Sequence, residues 1–265
     1  MITTSNQRWR NHRTSYRPKG EPIDTRKYEI ATIGREARQT AIDFVKTHHY
    51  AGSVPGHRYR VGLYRTGKLV GVAIFGNGPS QNAINKTLPV EGIRADLCRF
   101  VLLDDVPANG ETWFLAQAFR LLRRDKGVDA LLAYSDPEPR YTDDGERVFK
   151  GHIGTIYQAS NARFVGRGNE HTRYVFADGS VFDQTQYSKL SRRITGWSYV
   201  AAKLREYGAP PPPTAPSKYQ AWRKNAIAMT TTTIRHPGSL AYVWAFDRTL
   251  TRFLPRSLPY LKVAP

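Results

Sequence analysis

Cys98 is the only cysteine in 265 residues, so no internal disulfide can form. That fits a reducing compartment. Cys98 lies in an apolar, strand-like run and reads as core rather than as a nucleophile. No apolar run approaches the roughly 20 residues that a membrane-spanning helix needs. The N-terminus is polar and Arg-rich, and no apolar stretch follows it, unlike a secretory signal. Acid is scarce, with 22 Asp+Glu against 40 Lys+Arg and a net charge of +18. The scarcity is uneven. Residues 1–40 hold 4 acidic and 9 basic side chains, residues 41–186 hold 16 and 18, and residues 187–265 hold 2 and 13. A nearly neutral middle with basic ends suits a chemistry domain whose flanks grip a polyanion, because clustered Lys and Arg neutralise phosphates and release counterions. A basic protein without such a partner, or one binding acidic lipid, is the blander alternative.

With 40% hydrophobic residues the chain can bury a core. A domain commonly runs to about 100–200 residues, which predicts a basic arm over residues 1–30, a catalytic core over 31–186 and a basic, aromatic-rich extension over 187–265. In residues 35–50, Ala37, Ala41, Phe44, Val45 and His48 fall on one helix face. Tyr59 to Tyr64 and Lys68 to Phe75 read as a hairpin turning at Thr66 and Gly67. Asp96 to Leu103 is a third strand. A helix from Glu111 carries Arg123, Arg124 and Lys126 in its last turn and stops at Gly127. Ala130 to Ser135 is a short buried strand, and 140–150 a polar loop. A short helix spans roughly Gly154 to Ser160. Arg163 to Gly166 and Arg173 to Phe176 are strands, and 188–207 is one amphipathic helix. After the Pro210 to Pro213 linker, basic and aromatic residues alternate: Trp222, Arg223, Lys224, Arg235, His236, Tyr242, Trp244, Phe246 and Arg248. They would grip phosphates and stack on bases, or the aromatics would pack the tail onto the core. Arg58, Arg60, Arg163 and Arg167 join Arg223, Lys224, Arg235, His236, Tyr242 and Trp244 as candidate nucleic-acid contacts.

The order helix, hairpin, strand, Pro/Gly break, helix, strand, short helix, two strands resembles the Gcn5-related N-acetyltransferase (GNAT) fold over about residues 35–182. GTIYQASNARFVGRG resembles that fold's last helix and strand, with Tyr157 and Phe164 in the expected places. A closer likeness is to the phage Mom family of DNA-modification proteins. It is carried by His49-Tyr50, LCRFVLLDDVPANGETWFL, the Tyr134-Ser135-Asp136-Pro137 turn, GHIGTIYQASNARFVGRG and HPGSLAYVW. The resemblance implies an α+β fold: a mixed, mostly antiparallel central sheet flanked by helices. It implies an enzyme of the host cytoplasm that converts the exocyclic amine of adenine in phage double-stranded DNA to an acetamido (carbamoylmethyl) amine. Restriction nucleases then fail to read the altered major-groove edge. An adenine in a duplex must be flipped to be reached.

One departure from the acetyltransferase pattern bears on the donor. The Gly-rich loop that seats the coenzyme A pyrophosphate at a helix N-terminus here reads VPANGETW, with one glycine and an acidic Glu111. The candidate donor-binding residues are Arg99, Phe100, Val101, Asn109, Gly110, Glu111 and Thr112. The donor stays open between acetyl-CoA and glycyl-tRNA, an aminoacyl-tRNA that would be a second nucleic-acid partner. Glycine has the atoms of the product: acylation of the amine, then attack of the glycine amine on the ring carbon, would leave an acetamido group. Asp136 is the first choice for the base and His49 the second. Ser135 or Tyr157 would donate to an oxyanion or leaving group, and Tyr50 and Tyr157 would contact base or donor. Arg99 would hold a phosphate or pair with Asp136 or Glu111. Adjacent His48 and His49 seldom point the same way on a helix, so no metal is expected. Two other classes compete: an acetyl-CoA-dependent acetyltransferase of protein or small molecules, and a non-catalytic DNA-binding protein.

Overall fold

Thr66 and Gly67 both take positive φ, 49° and 74°, the geometry of a two-residue hairpin turn whose twist matches its strands. In the computed structural model, which describes residues 23–262 apart from Pro79 and Ala108, this turn joins β2 (His57–Arg65) to β3 (Lys68–Gly76). β1 (Tyr28–Thr32) pairs antiparallel with β2. The basic arm expected over 1–30 therefore ends earlier, in a sheet strand, and residues 1–22 lie outside the described residues. α1 (Arg38–His48) buries Ala41 and Val45 as its periodicity predicts. α2 (Gln81–Thr87), capped by the Ser80 hydroxyl, has no counterpart in the sequence-based expectation. β4 (Ile93–Leu102) leads to α3 (Gly110–Lys126), which stops on Gly127 in the left-handed conformation. β5 (Val128–Ser135) follows.

The predicted polar loop at 140–150 is a small hairpin, β6 (Arg140–Tyr141) with β7 (Arg147–Phe149). α4 (Thr155–Ala159), β8 (Arg163–Arg167), β9 (His171–Phe176) and β10 (Val181–Phe182) come next. The single helix expected over 188–207 is two, α5 (Gln184–Arg192) and α6 (Trp197–Glu206). Arg193 and Gly196 between them take φ of 50° and 86°, which an α-helix does not admit. α7 (Pro216–Thr230) starts on proline, whose ring fits the first helical turn. β11 (Thr231–His236), β12 (Leu240–Ala245) and the short α8 (Arg248–Thr251) complete the order.

The main sheet has seven strands in the order β1-β2-β3-β4-β5-β12-β8. β4 and β5 are its parallel pair, and every other pairing is antiparallel. Its two faces carry separate cores because side chains alternate along a strand. Leu131, Ala133, Tyr242 and Trp244 join Phe114, Leu115 and Phe119 of α3 on one face. On the other, Ala130, Leu132, Ala241 and Val243 pack with Ile84 of α2, while Val72 and Ile74 pack with Ala41 and Val45 of α1.

The chain divides into two compact units. The sheet unit comprises the described residues up to 137, with 151–168 and 239 onward. The other comprises 138–150 and 169–238 and has its own core of Phe176, Leu190, Val200, Leu204, Trp222 and Ala226. Within it, β10, β9 and β11 form a three-stranded sheet. The extension expected over 187–265 is thus divided. Residues 187–238 belong to the helical unit, whereas β12 lies inside the main sheet between β5 and β8. LAYVWA is apolar on both faces of the sheet, as an interior strand must be.

Candidate active site

β4 and β5 pair in parallel from Ile93–Val128 to Leu97–Ala133. There they part. β4 runs on to Leu102, while Tyr134 and Ser135 at the end of β5 pair with Ala241 and Leu240 of β12. A gap at the carboxyl end of adjacent parallel strands is a favoured place for a ligand. The segments that follow α1 and β5 bring polar side chains to this region.

α1 ends at His48, and its first residues beyond are His49 and Tyr50. The His49 ring is buried, and its Nδ1 accepts the Ala51 amide at 3.0 Å. A neutral imidazole has one lone pair, so His49 carries its proton on Nε2. The role of base expected for His49 conflicts with that bond, because the basic nitrogen holds the loop. Tyr50 stacks beside His49, with ring centroids 4.2 Å apart. Its Oη lies 3.2 Å from Nε2 of His152, a residue of the GHIGT run to which the sequence reading gives no role. The His152 amide donates to the Asp136 carbonyl at 2.8 Å, fixing the imidazole beside the turn that ends β5. Gly151 and Gly154, both at positive φ, frame this segment. A Cβ on Gly154 would lie 2.6 Å from Tyr242 and 2.9 Å from Tyr157.

Tyr157 on α4 is buried against His152, Tyr242 and Trp244, at ring distances of 6.4, 5.5 and 5.7 Å. Burial, with nearby Tyr50 adding to it, pushes the Tyr157 hydroxyl well above the ordinary phenol range, while Arg99 pulls the other way. The group therefore keeps its proton and serves as a donor. Ser135 is 1% exposed, and its Oγ has no hydrogen-bond partner among the described residues. Arg99 pairs with neither of the carboxylates expected for it. Its Nε donates to the Ser53 carbonyl at 2.7 Å and its Nη1 to the Cys98 carbonyl. Burial pushes the Cys98 thiol up to about 12, so it is inert near neutrality, as its strand-like surroundings predict. The cluster thus combines a buried hydroxyl donor, a phenol–imidazole pair, the Asp136 turn and a guanidinium.

The turn before α3 fits a coenzyme A pyrophosphate poorly. Asn109 caps the helix in the left-handed conformation, with no side-chain cap bond. The Gly110 amide donates to Pro107, and a Cβ there would meet Val106 at 2.6 Å rather than open space. Thr112 Oγ1 turns back to the Asn109 carbonyl at 3.2 Å. Asp104 and Glu111 add negative charge to this stretch, and Asp105 is paired with Arg65; negative charge repels a diphosphate. Phe100 stacks on Phe114 and Val101 is buried in the α1 core, so both support β4 by packing.

Five of the ten candidate nucleic-acid contacts are buried. Arg60 donates to the Ile33 and Gly34 carbonyls. Arg223 lies over the Tyr187 ring and bonds Ser191. His236 is fully buried, its Nδ1 accepting the Gly238 amide at 3.1 Å. Tyr242 donates to the Ile153 carbonyl, and Trp244 Nε1 to the Ser160 carbonyl at 2.9 Å. These aromatics pack the tail into the core, which is why their alternation with basic residues misleads. Arg58, Arg167, Lys224 and Arg235 are exposed and Arg163 half-buried; Arg235 is ion-paired with Glu170. Among the described residues no group of three or more His, Cys, Asp or Glu is placed to hold a metal ion, and no helix is long and apolar enough to cross a membrane.

A model of the Mom protein family matches residues 28–207. The chain is similar to the methylcarbamoylase mom of Escherichia phage Mu, 28% identical over 177 residues, covering 62% of this chain and 68% of that one. Solved acetyltransferases overlap more loosely. An agmatine N-acetyltransferase gives a TM-score of 0.41 at 9% identity, covering 83% of this chain and all of the other. An N-acetyltransferase from Staphylococcus aureus Mu50 gives 0.34 at 14% identity, covering 59% and 91%.

Proposed function

We propose that this chain, which belongs to the Mom protein family, modifies the exocyclic amine of adenine in double-stranded DNA to an acetamido amine. The observation that supports it is the family match, whose span of 28–207 contains Tyr50, Arg99, Ser135, Asp136, His152 and Tyr157. The name of the phage Mu relative, a methylcarbamoylase, points to the same kind of group. Modified DNA would resist restriction, because the altered edge lies in the major groove that nucleases read.

The adenine would leave the stack at a cost of a few kcal/mol and enter the gap between β4 and β5. Its amine is a poor nucleophile, since the lone pair is delocalised, so a base must take a proton as the new bond forms. Tyr157 would donate to the oxyanion that develops on an acyl donor. The basic faces of α5–α7 would hold the phosphates. Residues 184–230 carry eight Lys and Arg against one acid, Glu206. Three of the eight are already engaged: Arg193 lies over the Trp197 and Tyr219 rings, Lys203 over Phe176, and Arg223 is buried. Arg192, Arg205, Lys218 and Lys224 are exposed.

The test is mass spectrometry of nucleosides from the DNA of cells expressing the chain. A carbamoylmethyl-adenine nucleoside is the expected result, and an unmodified adenine pool would overturn the proposal. Glycyl-tRNA would supply the extra nitrogen of the product, which an acetyl group lacks. Purified protein given DNA with either labelled donor decides between them: label reaching DNA only from acetyl-CoA sinks the glycine route.

A further inference from the structure

We infer that Tyr50 and His152 form a proton relay for the attacking amine, with His152 as the terminal acceptor. The inference rests on the proposed adenine modification. Three observations carry it. The Tyr50 hydroxyl and His152 Nε2 are within hydrogen-bond distance, at 3.2 Å. The other imidazole of the cluster, His49, has its basic nitrogen committed to the Ala51 amide. The backbone that carries the imidazole is tied to the end of β5, the His152 amide donating to the Asp136 carbonyl, and it runs between glycines 151 and 154, both at positive φ.

The atoms balance for the acylation half of the reaction with an activated glycyl ester as the donor; attack of the glycine amine on the ring carbon then swaps the attachment and leaves the acetamido group. The adenine N6 lone pair forms a bond to the acyl carbon, and the N6–H bond breaks towards Tyr50 Oη. In the same motion the Tyr50 proton passes to His152 Nε2. Phenol is restored and imidazolium formed, so no free phenolate is needed. The donor oxygen leaves with its bonding pair and takes up, through water, the proton that the imidazolium releases, so His152 returns to its neutral form. Tyr50 is the residue that touches the amine, and His152 acts through it.

The groups around the pair decide how the relay responds to pH. Tyr157 on α4 and Cys98 on β4 are both raised by burial and stay protonated near neutrality. Tyr242 on β12 is raised for the same reason. Arg99 on β4 brings a guanidinium to the surroundings. Asp136 at the end of β5 and His49 at the end of α1 complete the surroundings. A histidine's charge changes near neutral pH, and the His49 lone pair is already engaged. In the relay the imidazolium form of His152 cannot accept a proton, so the rate falls as His152 becomes protonated.

The test uses the full-length protein with DNA and the donor that works for wild type. His152→Gln is expected to slow modification by about 100-fold, in the range typical of a lost acid–base group, and to flatten the acid limb. Tyr50→Phe should slow it similarly, and the double variant should be no slower than the worse single one, as for groups acting as a unit. A His152→Gln rate and acid limb like wild type's, or losses that multiply in the double variant, would overturn the relay while leaving adenine modification standing. Wild type that modifies no adenine would instead overturn the parent reading. Nitrogen-15 NMR of histidine-labelled wild type is independent of any variant's folding. The relay requires Nε2 of His152 to be unprotonated, so that it can accept from the Tyr50 hydroxyl. A protonated Nε2 would overturn it.

Discussion

Residues 187–265 contain two pieces of opposite character. α5–α7 pack a modest apolar stripe inward and leave Arg192, Arg205, Lys218 and Lys224 in solvent. β12 has no charge in its six residues and is buried almost throughout, hydrogen-bonded to a strand on each side. A mean charge taken over the whole stretch describes only the first. Those four exposed basic side chains are open to a polyanion, unlike Arg193, Lys203 and Arg223, which lie over rings of their own unit, and unlike the aromatics of β12, which build the sheet. Tyr242 and Trp244 back onto Tyr157, so the last strand of the sheet supports the candidate site from behind.

Substitutions on the two pieces should separate stability from binding. Tyr242→Ala should have the largest effect. It removes a fully buried ring and, with its hydroxyl, one of the acceptors that the Gln158 amide reaches, at 3.1 Å. Truncating a buried aromatic costs about 3–5 kcal/mol, read as a lower denaturant midpoint of the full chain. A loss below about 1 kcal/mol, the size of an average substitution, would mean that β12 is no core strand. The counterpart is a triple charge reversal of Arg205, Lys218 and Lys224 to Glu. Exposed substitutions of this kind usually shift stability by less than about 0.5 kcal/mol each. DNA affinity should fall, and the slope of log affinity against log salt should flatten by about 0.9 for each phosphate that is no longer neutralised. Anisotropy titrations at several salt concentrations measure this. An unchanged slope would place the DNA grip elsewhere.

The same contrast explains what is legible in the sequence. The Thr66–Gly67 hairpin, α1, α3 with its Gly127 stop and the short α4 are legible because their signals are local: a turn dipeptide, a periodicity, a cap. The break between α5 and α6 is not, since Arg193 in the left-handed conformation carries no strong sequence mark; Gly196 is the available hint. β12 is hidden because its aromatics sit between basic neighbours, and only its place between β5 and β8 shows which way they face. At the site, Tyr50, Ser135, Asp136 and Tyr157 stand out through their motifs. His152 is in plain view in GHIGT, bracketed by two glycines. Its role depends on a loop meeting the end of α1, 102 residues away in the chain, and spacing cannot report that. The misreading of Arg60 and Arg223 has one cause: an arginine can satisfy backbone carbonyls or stack on a ring as well as bind phosphate.

The smallest effect expected is a chemical silence in the sheet unit. Cys98 lies on β4 beside the gap, where a reactive thiol would compete with the phenol–imidazole pair as the chemical centre. Its Sγ donates to the Ile74 carbonyl at 3.2 Å, and burial holds the thiol at about 12. The thiolate is the nucleophile, so the folded chain should resist iodoacetamide near neutral pH and react only on unfolding. Mass spectrometry of alkylated protein across a denaturant series should show labelling that follows the unfolding curve. Tyr242→Ala should then be labelled at lower denaturant, while the triple charge reversal should be labelled like wild type. Rapid alkylation under native conditions would instead make Cys98 a candidate for the chemistry and weaken the assignment to Tyr50 and His152.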